Sequence, residues 1–240
     1  MAPNLLVSVH EKAEVVGQWL QWVDIIDLKS PKAGALEAVS KESALEICDY
    51  IDGRVPLSAA LGELKNFKLN SFVHHLSRVQ FAKIGLSDCA HRDWEAELGA
   101  IWKAFPATVL PVAVAYADWK HCCAPNPLEV VEFAAKHRAE YFLIDTYYKQ
   151  SGSIFNLVDF GFLIQLRQIA AEKKIGFVLA GSIQSVHAEL VGRVSPEVVG
   201  VRGAVTKFGR DSEIDANRVL EFRNAIDRSF VHPHHAPLNI

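Results

Sequence analysis

Apolar residues fall into eight short runs along the chain, at 5–9, 25–28, 56–60, 81–84, 109–115, 141–144, 176–180 and 198–201. Most of these runs are continuous rather than alternating. A strand that is apolar on both faces belongs to a parallel sheet covered by helices. Between the runs, apolar residues recur at helical spacing over 11–22, 41–52, 94–104, 127–137, 160–173, 186–192 and 215–230. Ser40 suits an N-cap for the second of these stretches, and Asn126 followed by Pro127 suits the start of the fourth. The segment 66–78 reads as a short helix after a loop. Strand starts recur every 20 to 35 residues or so, about the length of a βα unit. Eight such units in 240 residues predict an α/β fold, a single-domain (β/α)8 TIM barrel over 1–230, with 231–240 as a C-terminal tail. An open doubly wound sheet is the alternative, but no GxGxxG follows the first strand, where a dinucleotide fold requires it.

Composition narrows the class. Half of the residues are hydrophobic and the formal charge is −3. With no basic stripe, neither nucleic acid nor anionic lipid is an expected partner. No apolar run reaches the roughly 18 residues of a spanning helix, so no membrane association is expected. The N-terminus runs directly into a strand without a secretory signal. Cys48, Cys89, Cys122 and Cys123 form no CxxC pair. Reduced thiols and a cytoplasmic location are therefore expected. His232, His234 and His235 in the tail read as solvated, so no metal and no cofactor is expected. Oligomeric state stays open, with Trp119 and Phe155 as candidate interface residues if the chain forms a homo-oligomer.

The run Asp24-Ile25-Ile26-Asp27-Leu28-Lys29 carries candidate chemistry. Asp27 and Lys29 share parity, so both side chains leave the strand on one face. Pro31 then ends the ladder, having no backbone donor. A carboxylate and an amine are thus set at the carboxyl end of an apolar strand. Burial there costs several kcal/mol, roughly, unless charges pair or protons move. A neutral buried amine is a nucleophile toward carbonyls. Lys83 lies in a second apolar strand. Asp145 ends another, with Lys149 four residues on. In a barrel the active site sits at the carboxyl ends of the strands, and alternate strands fill one layer. Lysines on strands two, four and six therefore predict one convergent pocket. A structural ion pair of Lys29 with Asp27 or Asp145 is the competing reading. Tyr116 and Asp118 read as caps of the barrel mouth.

The loops after strands seven and eight carry Gly181-Ser182 and Arg202-Gly203-Ala204. Barrels often hold phosphate there, on backbone donors that glycine allows close to the anion. Arg202 would add charge-assisted hydrogen bonds. Tight turns alone would also account for the glycines. Lys32 reads as an exposed loop cation or a second phosphate contact.

These motifs resemble the (5-formylfuran-3-yl)methyl phosphate synthase family. The likeness rests on Asp24 to Gly34, Pro56-Leu57-Ser58-Ala59-Ala60-Leu61-Gly62, Ala82-Lys83-Ile84-Gly85-Leu86 and Ala115-Tyr116-Ala117-Asp118. It continues through Leu143-Ile144-Asp145-Thr146, Leu179-Ala180-Gly181-Ser182 and Val199-Gly200-Val201-Arg202-Gly203-Ala204-Val205. The resemblance implies a (β/α)8 barrel of methanofuran biosynthesis that condenses two glyceraldehyde 3-phosphate molecules, with release of phosphate and water. It implies Lys29 as the Schiff-base lysine and Lys83 as proton acceptor, with Asp27, Asp145 and Lys149 around the pocket. A small-molecule triose phosphate is then the partner. Glu63 departs from the family pattern, which has aspartate after the glycine of Leu61-Gly62. Another Schiff-base aldolase acting on sugar phosphates, or a non-catalytic sugar-phosphate-binding protein, are the competing functions.

Overall fold

A computed structural model describes residues 1–31, 34–68 and 77–231. Eight strands, β1 (Asn4–Val9), β2 (Ile25–Leu28), β3 (Leu57–Glu63), β4 (Phe81–Gly85), β5 (Leu110–Tyr116), β6 (Tyr141–Asp145), β7 (Gly176–Leu179) and β8 (Val198–Val201), pair in sequence order. All pairs are parallel, and β8 closes on β1 with Leu6 beside Gly200. The predicted (β/α)8 barrel is thus the observed fold. No helix among the described residues is long and apolar enough to cross a membrane.

The continuous apolar strands serve two cores. Leu5, Val7, Ile26, Leu28, Ala82, Ile84, Phe142 and Ile144 face outward into the layer under the helices. Leu6, Ile25, Val112, Val114, Leu143, Val178 and Val198 fill the barrel interior. Period-two alternation in each strand therefore separates two apolar environments, and polar residues enter the interior only near the carboxyl ends.

The outer layer is formed by α1 (Lys41–Ile51), α2 (Trp94–Lys103), α3 (Pro127–Lys136), α4 (Ile154–Leu157), α5 (Phe160–Glu172), α6 (Ala188–Val194) and α7 (Ala216–Val231). Ser40 caps α1 by accepting from the Ser43 amide. Asn126 and Glu129 form a capping box at α3, with Pro127 at the start of the helix. The stretch 11–22 departs from expectation. Two 3-10 turns, Lys12–Val15 and Gln18–Trp22, replace one α-helix. Gly17, at φ +153, interrupts the helical path between them. The expected helix at 66–78 and the tail at 232–240, with its histidines, fall largely outside the described residues, as does Lys32. The four cysteines are free, three of them buried.

Candidate active site

Strands β1 to β4 build one half of the site in register. Asp27 on β2 pairs with Ser8 of β1 and Ser58 of β3, and Lys83 of β4 sits across from Ala60. Lys83 Nζ donates to Asp27 Oδ1 at 2.6 Å and to Ser58 Oγ at 3.2 Å. Ser8 Oγ donates to the other oxygen, Asp27 Oδ2, at 3.0 Å. All four side chains are buried. Burial pushes the Lys83 ammonium below its usual pKa, Asp27 opposes that shift, and the nearby charge of Lys29 adds to it.

Asp145, at the end of β6, organises the opposite half. Its Oδ1 accepts from Lys149 Nζ at 2.5 Å and from the Thr146 amide at 2.8 Å. Its Oδ2 lies 3.6 Å from Lys29 Nζ and accepts no hydrogen bond from any described residue. Burial alone would raise this carboxyl, but Lys149 and Lys29 overcome it and hold the pKa at about 2. Lys149 is pushed down to about 8, chiefly by burial, with Asp145 resisting and Lys29 reinforcing. Lys29 thus acts electrostatically on both other lysines, so the three amines form one cluster.

These residues line a single cavity of about 310 Å³ at the carboxyl ends of the strands. That volume lies at the lower end of the range for small-ligand sites. Asp27, Lys29, Lys83, Asp145 and Lys149 all reach it, as do Gly181, Ser182, Arg202 and Gly203. Ala204 does not. Its methyl packs in the outer core behind the wall. Gly181 adopts φ +110, and a Cβ there would lie 2.8 Å from Thr146 Cγ2. Only glycine fits that approach, so this residue shapes the loop whatever it binds.

Arg202 differs from expectation. Its guanidinium was a candidate donor to phosphate, yet its donors are already engaged. Nη1 donates to the Ser8 carbonyl at 2.9 Å and Glu14 Oε2 at 3.1 Å, and Nη2 donates to Glu14 Oε1 at 2.7 Å. Nη2 also reaches the Ser212 carbonyl at 3.3 Å, and Nε donates to the Arg210 carbonyl at 2.5 Å. Glu14 follows β1 in sequence and Arg202 follows β8, so closure of the barrel brings them together. Arg210 also lines the cavity, and among the described residues its side chain makes no such bond; inspection of strand ends passes over it. A glycine-arginine pair, Gly209-Arg210, in the loop after β8 was the available signal.

Tyr116 and Asp118 bind protein groups. Tyr116 Oη donates to Glu63 Oε1 at 2.6 Å, and Glu63 Oε2 accepts from the Ser87 amide at 2.9 Å. The longer glutamate spans β4 over Gly85, where any Cβ would overlap both groups. Asp118 accepts from the amides of Tyr147 and Tyr148 at 2.7 and 2.8 Å and so fixes the loop that leads to Lys149. Neither Glu63 nor Tyr116 lines the cavity. Among the described residues, no group of three or more His, Cys, Asp or Glu side chains is placed to hold a metal.

Comparison with known proteins adds a family to this geometry. Residues 5–223 match the family model of 4-HFC-P synthase. A (5-formylfuran-3-yl)methyl phosphate synthase of Methanosarcina barkeri is 30% identical over 220 residues, covering 88% of this chain and 94% of that one. The protein of the same name from Archaeoglobus fulgidus is 27% identical over 233 residues, covering 93% and 99% respectively. Among solved structures, 3-hexulose-6-phosphate synthase from Salmonella typhimurium superposes with a TM-score of 0.67 at 15% identity, covering 94% of this chain and 99% of that one. At that identity the likeness bears on the fold alone.

Proposed function

The chain belongs to the 4-HFC-P synthase family, and from that membership we propose that it makes (5-formylfuran-3-yl)methyl phosphate by condensing two glyceraldehyde 3-phosphate molecules through an imine on Lys29. The observation that carries this reading is the convergence of three amines and two carboxylates on one cavity at the barrel mouth. Lys83 and Lys149 are each tied by a hydrogen bond to a carboxylate. Among the described residues, Lys29 has only the 3.6 Å approach to Asp145. Its amine is therefore the one free to turn toward a carbonyl carbon.

The Lys29 amine, once it has given up its proton, attacks the aldehyde of one triose phosphate, and loss of water gives the imine. The protonated imine is an electron sink, so the C–H beside it becomes acidic. Lys83, disposed by burial to give up its own proton, accepts the one from carbon and passes charge toward Asp27. β-Elimination then expels phosphate from C3 of this triose, and C3 becomes the nucleophilic carbon of the resulting enol. It attacks C2 of the second triose, whose aldehyde a proton shift has turned into the ketone form. The C1 hydroxyl freed by that shift closes the ring on C2 of the first triose, two waters leave, and hydrolysis of the imine frees the formyl group and Lys29. Lys149, near its pKa of about 8, exchanges protons with Lys29 across the two oxygens of Asp145. Each placed proton transfer is worth about 10²- to 10⁴-fold. The product would serve a methanofuran-type cofactor.

The lowered pKa of Lys149 favours one rival assignment, in which Lys149 forms the imine. Peptide mapping of the reduced adduct separates the two lysines. The reaction itself is tested by incubating the protein with glyceraldehyde 3-phosphate. A product with the mass of the furan phosphate and strong near-ultraviolet absorption is expected. A simple aldol adduct without that absorption would point to another Schiff-base aldolase. Thermal stabilisation by triose phosphate without turnover would point to a binding protein.

A further inference from the structure

Arg210 stands at the tip of a braced hairpin. Thr206 and Ile214 pair in an antiparallel bridge. The Lys207 amide donates to the Glu213 carbonyl at 3.0 Å, and their side chains form an ion pair at 2.7 Å. The Phe208 amide donates to Ser212 Oγ at 2.8 Å, the Ser212 amide donates to the Gly209 carbonyl at 3.0 Å, and Gly209 turns the chain at φ +99. Arg202 fastens this hairpin from beneath through the carbonyls of Arg210 and Ser212. Gly209 and Arg210 are thereby held against the cavity.

The charges around that cavity do not balance. Lys83 pairs with Asp27, Lys149 and Lys29 share Asp145, and Arg202 pairs with Glu14. Among the described residues, no hydrogen-bond or ion-pair partner meets the Arg210 guanidinium, although it is half-buried. Asp145 and Asp211 act on it only at longer range, and burial pushes its pKa down. Of these cations, Arg210 is the one left without a paired carboxylate. A phosphate monoester, at about −1.5 to −2 near neutral pH, supplies the missing counter-charge. A half-buried guanidinium without a counter-ion bears part of the cost of desolvation, and its planar fork matches phosphate oxygens two at a time.

We propose that the Arg210 guanidinium recognises the phosphate of the triose held at this end of the cavity, beside Ser182 and Gly203, with Arg202 as the positioning residue behind it. The identity of the ligand as a triose phosphate rests on the function proposed above. The recognition of a phosphate monoester by Arg210 does not.

Titration calorimetry with inorganic phosphate tests the assignment on the whole chain, as wild type, Arg210→Ala and Arg210→Lys. Loss of a charge-assisted bond predicts about 10- to 100-fold weaker binding in Arg210→Ala, with part of the affinity kept in Arg210→Lys. The KM for glyceraldehyde 3-phosphate is expected to rise in parallel while kcat changes by about threefold or less, the pattern of lost uniform binding. The thermal midpoint without phosphate should not fall, because no hydrogen bond or ion pair of the side chain is removed. Phosphate affinity unchanged in Arg210→Ala overturns the proposal, and so does a wild type that binds no phosphate. If wild type makes no furan but phosphate binding still depends on Arg210, the reaction is wrong and this site stands. If furan forms and phosphate binding ignores Arg210, only this site falls.

Discussion

Lys29 Nζ stands 3.6 Å from Asp145 Oδ2, an oxygen that accepts no hydrogen bond from any described residue. The other oxygen of the same carboxylate is held by Lys149 and the Thr146 amide. Asp145 is therefore committed on one side and open on the other. It faces two amines while hydrogen-bonding only one of them. A carboxylate hydrogen-bonded equally to both lysines would lock each in place.

That arrangement has a consequence for stability in acid. The folded pKa of Asp145, about 2, lies below the ordinary value of 3.8 for an aspartate carboxyl. A depressed carboxyl stabilises the fold fully above the unfolded value and loses that contribution as pH falls through the folded one. The shift corresponds to something on the order of 2 kcal/mol. The stability difference between wild type and Asp145→Asn, from denaturant unfolding, should be largest above about pH 5 and shrink toward pH 2. A difference independent of pH across that window would contradict the assigned charge state.

Lys83 and Asp27 form the other buried pair, and removing one partner strands the other. Lys83→Met is expected to cost about 3–5 kcal/mol, because Asp27 keeps only the Ser8 hydroxyl. Lys83→Met combined with Asp27→Leu should recover much of that loss. Activity should be absent from both variants. Recovery of stability without activity would separate the chemical role of the pair from its structural one, whereas an active double variant would remove Lys83 as proton acceptor.

The barrel was legible because its strands are buried on both faces, which makes each a continuous apolar run of the right spacing. Ser40 and Asn126 were legible because caps are local. The lysines and acids at strand ends were legible because parity within a strand decides the direction of a side chain. Stretch 11–22 was misread because its apolar spacing outweighed one glycine, Gly17. The role of Arg202 was hidden for a different reason. Its partner Glu14 is 188 residues away in sequence, and only closure of β8 on β1 joins them. Arg210 was missed because it lies beyond the strand end, on a hairpin whose bracing comes from tertiary contacts.

Arg202 should therefore behave as a support. Arg202→Met leaves Glu14 buried and releases the hairpin, so a loss of about 3–5 kcal/mol is expected. Arg202→Met with Glu14→Leu should regain stability without regaining affinity for inorganic phosphate, because the carbonyls of Arg210 and Ser212 remain unfastened. Calorimetry and thermal unfolding on both variants read the two effects separately. Full phosphate affinity in the double variant would show that the hairpin positions itself.

The most direct measurement is reduction with borohydride in the presence of glyceraldehyde 3-phosphate, followed by mass mapping of the peptides. A triose adduct on the peptide containing Lys29, lost in Lys29→Ala, is the expected result. An adduct on Lys83 or Lys149 instead, or trapping undiminished in Lys29→Ala, would contradict it.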